Sequence, residues 1–376
     1  MITINRKEFS EGITLGSSMA GKSKVLPILD LIRCEINGNE LTMMSYDTET
    51  AVKNTINAKE NNYGNITFAI PPREIISILK SIEDDDVYLD VKDDTIELKY
   101  EKGTLSIPRT QADDFPVPTE EEKKNEILVN SEELFNALNE SIAFCETKGI
   151  RKALGGVLIS AKEGKLYIVA TDSVKLYENI INCSYNGEEI NGIIPSKGIT
   201  TIMQTATNGA EYTTINIGTI NATITNNKAQ VCTRLIEAKY PNYKAIIPQS
   251  FNFNADFDKN DITNSIKRVM IATEQSDKRI KIEFNNMYAN ISVNNNTQRK
   301  KAQETCQYIT TELQQIPTMV VNGNYIQDGL NCIKTNNVSI LINDDKKPFV
   351  MKENNNDNNS NNNSNKTILI MPCVHN

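Results

Sequence analysis

Phe68-Ala69-Ile70-Pro71-Pro72-Arg73-Glu74-Ile75-Ile76 decides the fold. An apolar, strand-forming run stops at a proline pair, and a helix-forming run follows. The same signature returns as Gly192-Ile193-Ile194-Pro195-Ser196-Lys197-Gly198-Ile199. It returns again as Met319-Val320-Val321-Asn322-Gly323-Asn324-Tyr325-Ile326. Ile70 and Ile194 lie 124 positions apart, and Ile194 and Val321 lie 127 apart. A second marker, Leu41-Thr42-Met43-Met44-Ser45-Tyr46-Asp47, matches Leu166-Tyr167-Ile168-Val169-Ala170-Thr171-Asp172, with the aspartates 125 apart. A third, Asp114-Phe115-Pro116, matches Lys239-Tyr240-Pro241, with the prolines 125 apart. The chain has 376 residues, so three such units fill it.

Each unit carries the same order of elements. A short strand opens it, followed by an amphipathic helix over 6–19, 131–146 or 259–273. In the second of these, Leu134, Leu138, Ile142 and Phe144 form an apolar stripe near helical spacing. Alternating strands follow, such as 165–170. The strand–helix marker then gives a second helix, over 73–81, 197–205 or 325–334. A closing hairpin ends the unit: 95–100 with 103–107, then 213–217 with 221–225. The class is therefore α+β, three tandem repeats of a two-helix plus β-sheet unit, over residues 1–125, 126–248 and 249–376. In the third repeat a low-complexity insert, 353–366, interrupts the last hairpin between strands 348–352 and 367–371. Nine of the twelve residues from Asn354 to Asn365 are Asn, the composition of a disordered loop tip.

Composition excludes several function classes. Hydrophobic residues make up 39% and charged residues 23%, the balance of a soluble globular protein. The N-terminal residues do not have the layout of a signal peptide, and no apolar run is long enough for a membrane span. A cytoplasmic protein is expected. Its seven cysteines are scattered and never form a CxxC pair, which reads as reduced thiols. With His375 the only histidine, a His-dependent triad or multi-His metal site is excluded. No catalytic residue, metal or cofactor is expected, and the chain reads as a binding protein rather than an enzyme. A net charge of −8 argues against nucleic acid binding on its face, but says nothing of how charge is distributed.

One string points elsewhere. Gly16-Ser17-Ser18-Met19-Ala20-Gly21-Lys22-Ser23 fits the phosphate-binding pattern G-x-x-x-x-G-K-[ST]. That mechanism needs a buried strand before the loop and a helix starting at the lysine. Here the preceding residues read as helix, and 25–36 reads as strand. A P-loop nucleotide hydrolase is the alternative this string leaves open. The other reading is a Gly/Ser-rich connection whose Lys22 and Lys24 face a polyanion.

Four further strings resemble the beta subunit family of bacterial DNA polymerase III, the beta sliding clamps. They are Lys24-Val25-Leu26-Pro27-Ile28-Leu29, Val169-Ala170-Thr171-Asp172-Ser173-Val174-Lys175-Leu176, the run from Thr233 through Tyr240-Pro241-Asn242-Tyr243 to Pro248, and Ile368-Leu369-Ile370-Met371-Pro372. The third is the most specific, and together they span the whole chain. The resemblance implies a DNA clamp fold, with two chains closing head to tail into a homodimeric ring around duplex DNA. It implies a processivity factor that tethers the replicative polymerase and is loaded by clamp-loader subunits. Basic residues then face the DNA backbone without reading sequence: Lys22, Lys24, Arg73, Lys80, Lys148, Arg151, Lys152, Lys197, Lys267 and Arg268. By residue type alone these are equally solvated surface charge. The resemblance also implies one apolar pocket for short linear partner peptides, formed by Leu154, Thr171, Ser173, Val174, Lys175, Leu176, Pro241, Ala245, Ile246, Leu369, Met371, Pro372 and Cys373. Leu105, Ile107 and Ile271 match positions of the dimer contact.

The chain departs from the family pattern at the pocket. Ser173-Val174-Lys175 replaces the usual Gly-His-Arg, Ala245 stands where a basic residue is common, and Cys373-Val374-His375-Asn376 replaces an apolar-basic tail. A more apolar, less basic rim and an altered peptide preference are expected. A third reading, a clamp-like protein that has lost DNA association, separates from a working clamp by retention on circular but not linear DNA.

Overall fold

The computed structural model describes the chain except residues 23–25, 120, 123–124, 207–208, 286, 296–297, 311–317, 355–364 and 374–376. The first repeat runs β1 (Ile2–Asn5), α1 (Arg6–Gly16), β2 (Ile32–Asn37), β3 (Glu40–Tyr46), β4 (Thr50–Asn57), β5 (Glu60–Asn61), β6 (Ile66–Ile70), α2 (Pro72–Ser81), β7 (Asp86–Val91), β8 (Thr95–Tyr100) and β9 (Gly103–Pro108). The second runs β10 (Glu126–Asn130), α3 (Ser131–Ile142), β11 (Gly156–Lys162), β12 (Lys165–Thr171), β13 (Lys175–Asn182), β14 (Ile190–Pro195), α4 (Ser196–Met203), β15 (Tyr212–Ile217), β16 (Asn221–Asn226) and β17 (Ala229–Arg234). The third runs β18 (Phe253–Asp258), α5 (Lys259–Met270), β19 (Arg279–Asn285), β20 (Tyr288–Asn295), β21 (Lys300–Gln307), β22 (Thr318–Asn322), α6 (Gly323–Cys332), β23 (Asn337–Ile342), β24 (Phe349–Asn354) and β25 (Lys366–Ile370).

The three opening helices start by one device. Asn5 Oδ1 accepts from Glu8 N at 3.1 Å, Asn130 Oδ1 from Glu133 N at 3.1 Å, and Asp258 Oδ1 from Asp261 N at 2.8 Å. Each cap satisfies an orphan donor of the first turn and sets an acidic residue at the positive helix end. The helices stop three or four residues short of the expected ends, because apolar positions persist after the helix has broken into tight turns. Ser17 N still reaches Ile13 O, but Ser18 N bonds to Leu15 O and Phe144 N to Ser141 O, three residues back. Residues 27–30 form a 3₁₀ turn instead of continuing a strand from 25 to 36.

Two compact units result, one of Met1–Phe135, Ser160–Lys165 and Asn182–Glu237, the other of Asn136–Ile159, Leu166–Ile181 and Ala238–Asn376. The first holds the sheets β5-β1-β7-β8-β9 and β10-β15-β16-β17-β4-β3-β2-β6. One core in it packs Phe9 and Ile13 of α1 and Ile75 and Leu79 of α2 against strand residues such as Ile2, Ile4, Met43 and Phe68. The second holds the order β11-β12-β13-β25-β24-β23-β18 and the four-stranded sheet β21-β20-β19-β22. Phe253, Phe257, Phe284 and Tyr308 stack there with centroids 5.3 to 6.4 Å apart.

The repeat governs pairing as well as order. β4, β13 and β21 begin at Thr50, Lys175 and Lys300, spaced 125 residues apart. β4 pairs with β17, the last strand of the second repeat, and β13 pairs with β25, the last strand of the third. β21, the third member of the series, and β9, the last strand of the first repeat, each lie at a sheet edge. The strands flanking the insert reach further than expected, to Asn354 and back from Lys366. Of the insert's other residues, 355–364 lie outside the described residues.

Candidate functional site

Of the residues expected to form the pocket, Leu176 and Leu369 share one face of the second unit's sheet, and Lys175 lies on the other. Leu176 of β13 lies opposite Leu369 of β25, and Val350 of β24 is paired with Leu369 in turn. Side chains directly opposite share a face, and these three join Val169 and Tyr243 in one buried cluster. Tyr167, Tyr240, Ile247 and Phe251 pack around it, partly buried. Above this floor stands a rim. Val174 is 36% and Ile246 47% exposed, Pro241 and Ala245 are exposed, and Met371, Pro372 and Cys373 are half-buried. Met371 N donates to Val174 O at 2.8 Å, fixing the segment after β25 to the β12–β13 turn. Cys373 N donates to Val320 O. Leu154 is buried in the 3₁₀ turn Lys152–Gly155, its carbonyl taken by Glu146 N at 2.8 Å.

The β12–β13 turn is an aspartate turn. Asp172 Oδ1 accepts from Val174 N and Lys175 N, both at 2.9 Å, while Thr171 Oγ1 donates to Lys175 O at 2.7 Å and accepts from Ser173 N at 3.1 Å. Ser173 is held at φ +80°. In the first repeat Asp47 Oδ1 accepts from Glu49 N and Thr50 N, and Thr48 has φ +80°. The shared Asp therefore marks a turn, and glycine is the residue such a backbone favours.

Two cations stand near this rim, at positions outside the expected replacements. Arg151 Nη2 donates to Ser173 Oγ at 2.9 Å, which takes its guanidinium to the turn. Lys244 Nζ lies 4.7 Å from the centre of the Tyr167 ring. Lys175, expected at the rim, is buried. Burial also pushes the Glu178 carboxyl up, against the hydroxyl of Tyr243 bonded to it. Residues 374–376 of the altered tail lie outside the described residues.

The other basic residues divide by partner. Lys197 Nζ bonds to Asp47 Oδ2 at 2.5 Å, and the Asp47 side chain is only 1% exposed. Burial would raise that carboxyl, but Lys197 and the backbone donors of Thr50 and Glu49 prevail and hold it below the usual range. Arg268 forms a two-pronged pair with Glu304 at 2.9 and 2.7 Å. Lys22, Arg73, Lys80, Lys148, Lys152 and Lys267 are exposed and make no ion pair among the described residues. Lys24 lies outside the described residues. The six helices expose Lys7, Arg73, Lys80, Lys197, Lys267 and Arg268 against Glu8, Glu11, Glu74, Glu132, Glu133 and Asp261. The exposed charges on these helices are equal in number, and further exposed cations stand in the connections at Lys22, Lys148, Arg151 and Lys152. A groove of ≈ 1010 Å³ in the first unit is lined by Glu8, Glu11, Thr14, Asn54, Lys80, Gln204 and Lys228, among others. Sequence reasoning missed Lys228, 3.3 Å from Glu8. Among the expected dimer residues, Ile271 is 78% exposed and Leu105 half-buried, but Ile107 is a core residue, 4% exposed.

The P-loop string has another cause. A Cβ on Gly16 would sit 2.8 Å from the Met43 carbonyl oxygen, and one on Gly12 would meet Asn54, Ile56 and Met43. These glycines, one helical turn apart, let α1 lie on β3 and β4. Gly21 closes a turn at φ +72°, and Lys22 Nζ lies 3.7 Å from Met19 Sδ. A helix, not a strand, leads into the loop. Among the described residues no three His, Cys, Asp or Glu side chains gather as a metal site, and no helix is long and apolar enough to cross a membrane.

Comparison with known proteins places this geometry. Residues 1–119 match the N-terminal domain of the DNA polymerase III beta subunit, 128–242 its central domain and 244–371 its C-terminal domain. The chain belongs to the DNA polymerase III beta subunit family. It is 22% identical over 377 residues to the beta sliding clamp of Helicobacter pylori, covering 99% of both chains. To the Pseudomonas aeruginosa clamp it is 21% identical, over 93% of this chain and 95% of that one. The fold matches the crystal structure of the P. aeruginosa sliding clamp with a TM-score of 0.91 at 20% identity, covering both chains fully. It matches the Thermotoga maritima beta subunit at 0.87 and 21%, over 100% of this chain and 99% of that one. The three-domain clamp fold is thus the one expected. Family members are sliding clamps, processivity factors rather than catalysts, and the nucleotide hydrolase alternative is withdrawn.

Proposed function

We propose that two copies of this chain close head to tail into a ring around duplex DNA, with β9 of each copy pairing along β21 of the other. The repeat register carries this reading. β4 and β13 each hold the last strand of the next repeat, so among the described residues β21 lacks the partner its position calls for, and β9 is the last strand left over. Exposed strand edges invite such pairing, and a heterologous contact that closes gives a ring. Leu105 on β9 and Ile271 after α5 would supply apolar contact, with Ile107 supporting β9 from the core. The ring comprises six clamp domains, with boundaries in each chain near residues 125 and 248, and works in the cytoplasm. Lys22, Arg73, Lys80, Lys148, Lys152 and Lys267 would touch phosphates without reading bases.

The apolar floor around Leu176 and Leu369 is proposed to take the anchors of short peptides from the polymerase and clamp-loader subunits. Val174, Ala245, Ile246 and Met371 would form its rim, and Arg151 and Lys244 would favour peptides with an acidic residue beside the anchors. Griselimycin, bound in one P. aeruginosa clamp structure to which this fold is similar at a TM-score of 0.91 and 20% identity, is a second probe.

Retention on nicked circular DNA after loading, with loss on linearisation, tests the ring; equal retention on both forms would refute it. Leu105→Arg is expected to give monomers by sedimentation. Binding of a fluorescent decapeptide with two large apolar anchor residues, abolished by Val174→Asp and Ile246→Asp, tests the pocket.

A further inference from the structure

Beneath the pocket lies a buried cation. Because β13 alternates, Lys175 points away from the face that carries Leu176. Its cross-strand partner is Ile370, while that of Leu176 is Leu369. The Lys175 side chain is 8% exposed, and its Nζ meets Asp328 Oδ2 of α6 at 2.5 Å. The rings of Phe144 and Tyr325 flank it, with centroids 5.3 and 5.1 Å from Nζ. The backbone of the same residue closes the pocket's turn at both ends. Lys175 N donates to Asp172 Oδ1, and Lys175 O accepts from Thr171 Oγ1. One residue therefore joins the turn that presents Ser173 and Val174 to a helix on the opposite side of the sheet. Resting on the pocket reading above, we infer that Lys175 is a positioning residue for the peptide pocket. It holds the rim from beneath through Asp328 and does not touch the peptide. Asp328, on α6, then sets peptide affinity from the far side of the sheet.

The test measures binding of the same fluorescent decapeptide to the full chain at a temperature where circular dichroism shows every variant folded. Lys175→Met and Asp328→Asn are each expected to weaken binding by roughly tenfold, within the range of couplings between contacting residues. The double variant should lose no more than either single one, and Lys175→Arg should stay within about threefold of wild type. A purely structural role would lower the melting temperature and leave affinity unchanged. Wild-type affinity in both single variants, or losses that multiply in the double variant, would overturn the inference. Should Lys175→Met not fold, Asp328→Asn and Lys175→Arg decide the question, since Asp328 is already 29% exposed. Failure of the pocket reading is seen separately, as wild type that does not bind or Val174→Asp that binds normally.

Discussion

Thr48 and Ser173 occupy the same turn position in two repeats, both at φ +80° and both exposed, and they make a matched pair for glycine substitution. A side chain in the left-handed region costs about 1–2 kcal/mol, with β-branched Thr toward the upper end. Glycine gives back about 0.5–1 kcal/mol through the extra freedom of its unfolded chain. Thr48→Gly should therefore stabilise by about 0.5–1 kcal/mol, the difference of those two effects. The bond from Tyr46 Oη to the Thr48 carbonyl is kept, since it uses the backbone. Ser173→Gly relieves a smaller strain, Ser being unbranched, and also loses the hydroxyl that receives Arg151 at 2.9 Å. An exposed bond of this kind contributes about 0.5–1 kcal/mol, which brings Ser173→Gly close to neutral. Urea unfolding of wild type and both variants measures the two differences. Loss of stability in Thr48→Gly would refute the strain argument. An equal gain at both sites would show that the Arg151 contact contributes nothing.

Three more outcomes follow from the same geometry. Asp47→Asn should cost about 1–2 kcal/mol by urea unfolding, because a buried acceptor of charge-assisted bonds is weakened. The folded Asp47 carboxyl titrates below its unfolded value. Its contribution is therefore complete above the ordinary carboxylate range and lost as pH falls through the folded value, so wild type and variant should converge in acid. Glu121, whose carboxylate accepts from Thr219 N, Ile220 N, Asn221 N and the Thr219 hydroxyl, anchors the connection between the first two repeats to a hairpin. Glu121→Gln should lower stability by about 1 kcal/mol in the same assay. In duplex DNA titrations, Lys80→Ala, Lys152→Ala and Lys267→Ala should each flatten the log–log salt slope by about 0.9. Lys197→Ala and Arg268→Ala, whose charges are already met by Asp47 and Glu304, should flatten it by far less.

The repeat was legible because three kinds of local signal recur in register: the strand–helix junction, the turn aspartate and the closing hairpin. Helix starts were sharper than helix ends. Asn5, Asn130 and Asp258 cap by short-range hydrogen bonds visible as Asn or Asp three residues before an acidic one, whereas Met19 and Phe144 stay buried after the helix has ended and so prolong the apolar pattern. The P-loop string misled because glycines that permit close packing have the same letters as glycines that cradle phosphate. Family position puts Lys175 at the rim, whereas alternation along β13 puts it on the face opposite Leu176. The pairs Lys197–Asp47 and Arg268–Glu304 join residues 150 and 36 positions apart, and no local pattern announces them. That these two cations are already paired was therefore invisible in the sequence.

β25 is held from two sides. β13 pairs with it from Lys175↔Ile370 to Asn179↔Lys366, and β24 pairs with it through Phe349, Val350 and Met351. At its start Lys366 Nζ bonds to Glu140 at 2.8 Å and to Glu353 at 3.4 Å. The strand's position is thus set by its neighbours rather than by the covalent link to β24. A change of length between Asn354 and Lys366 therefore leaves every pairing of β25 in place. The same tolerance makes the junction a natural place to splice in an epitope or fluorescent reporter, or to split the chain into two pieces that reassemble.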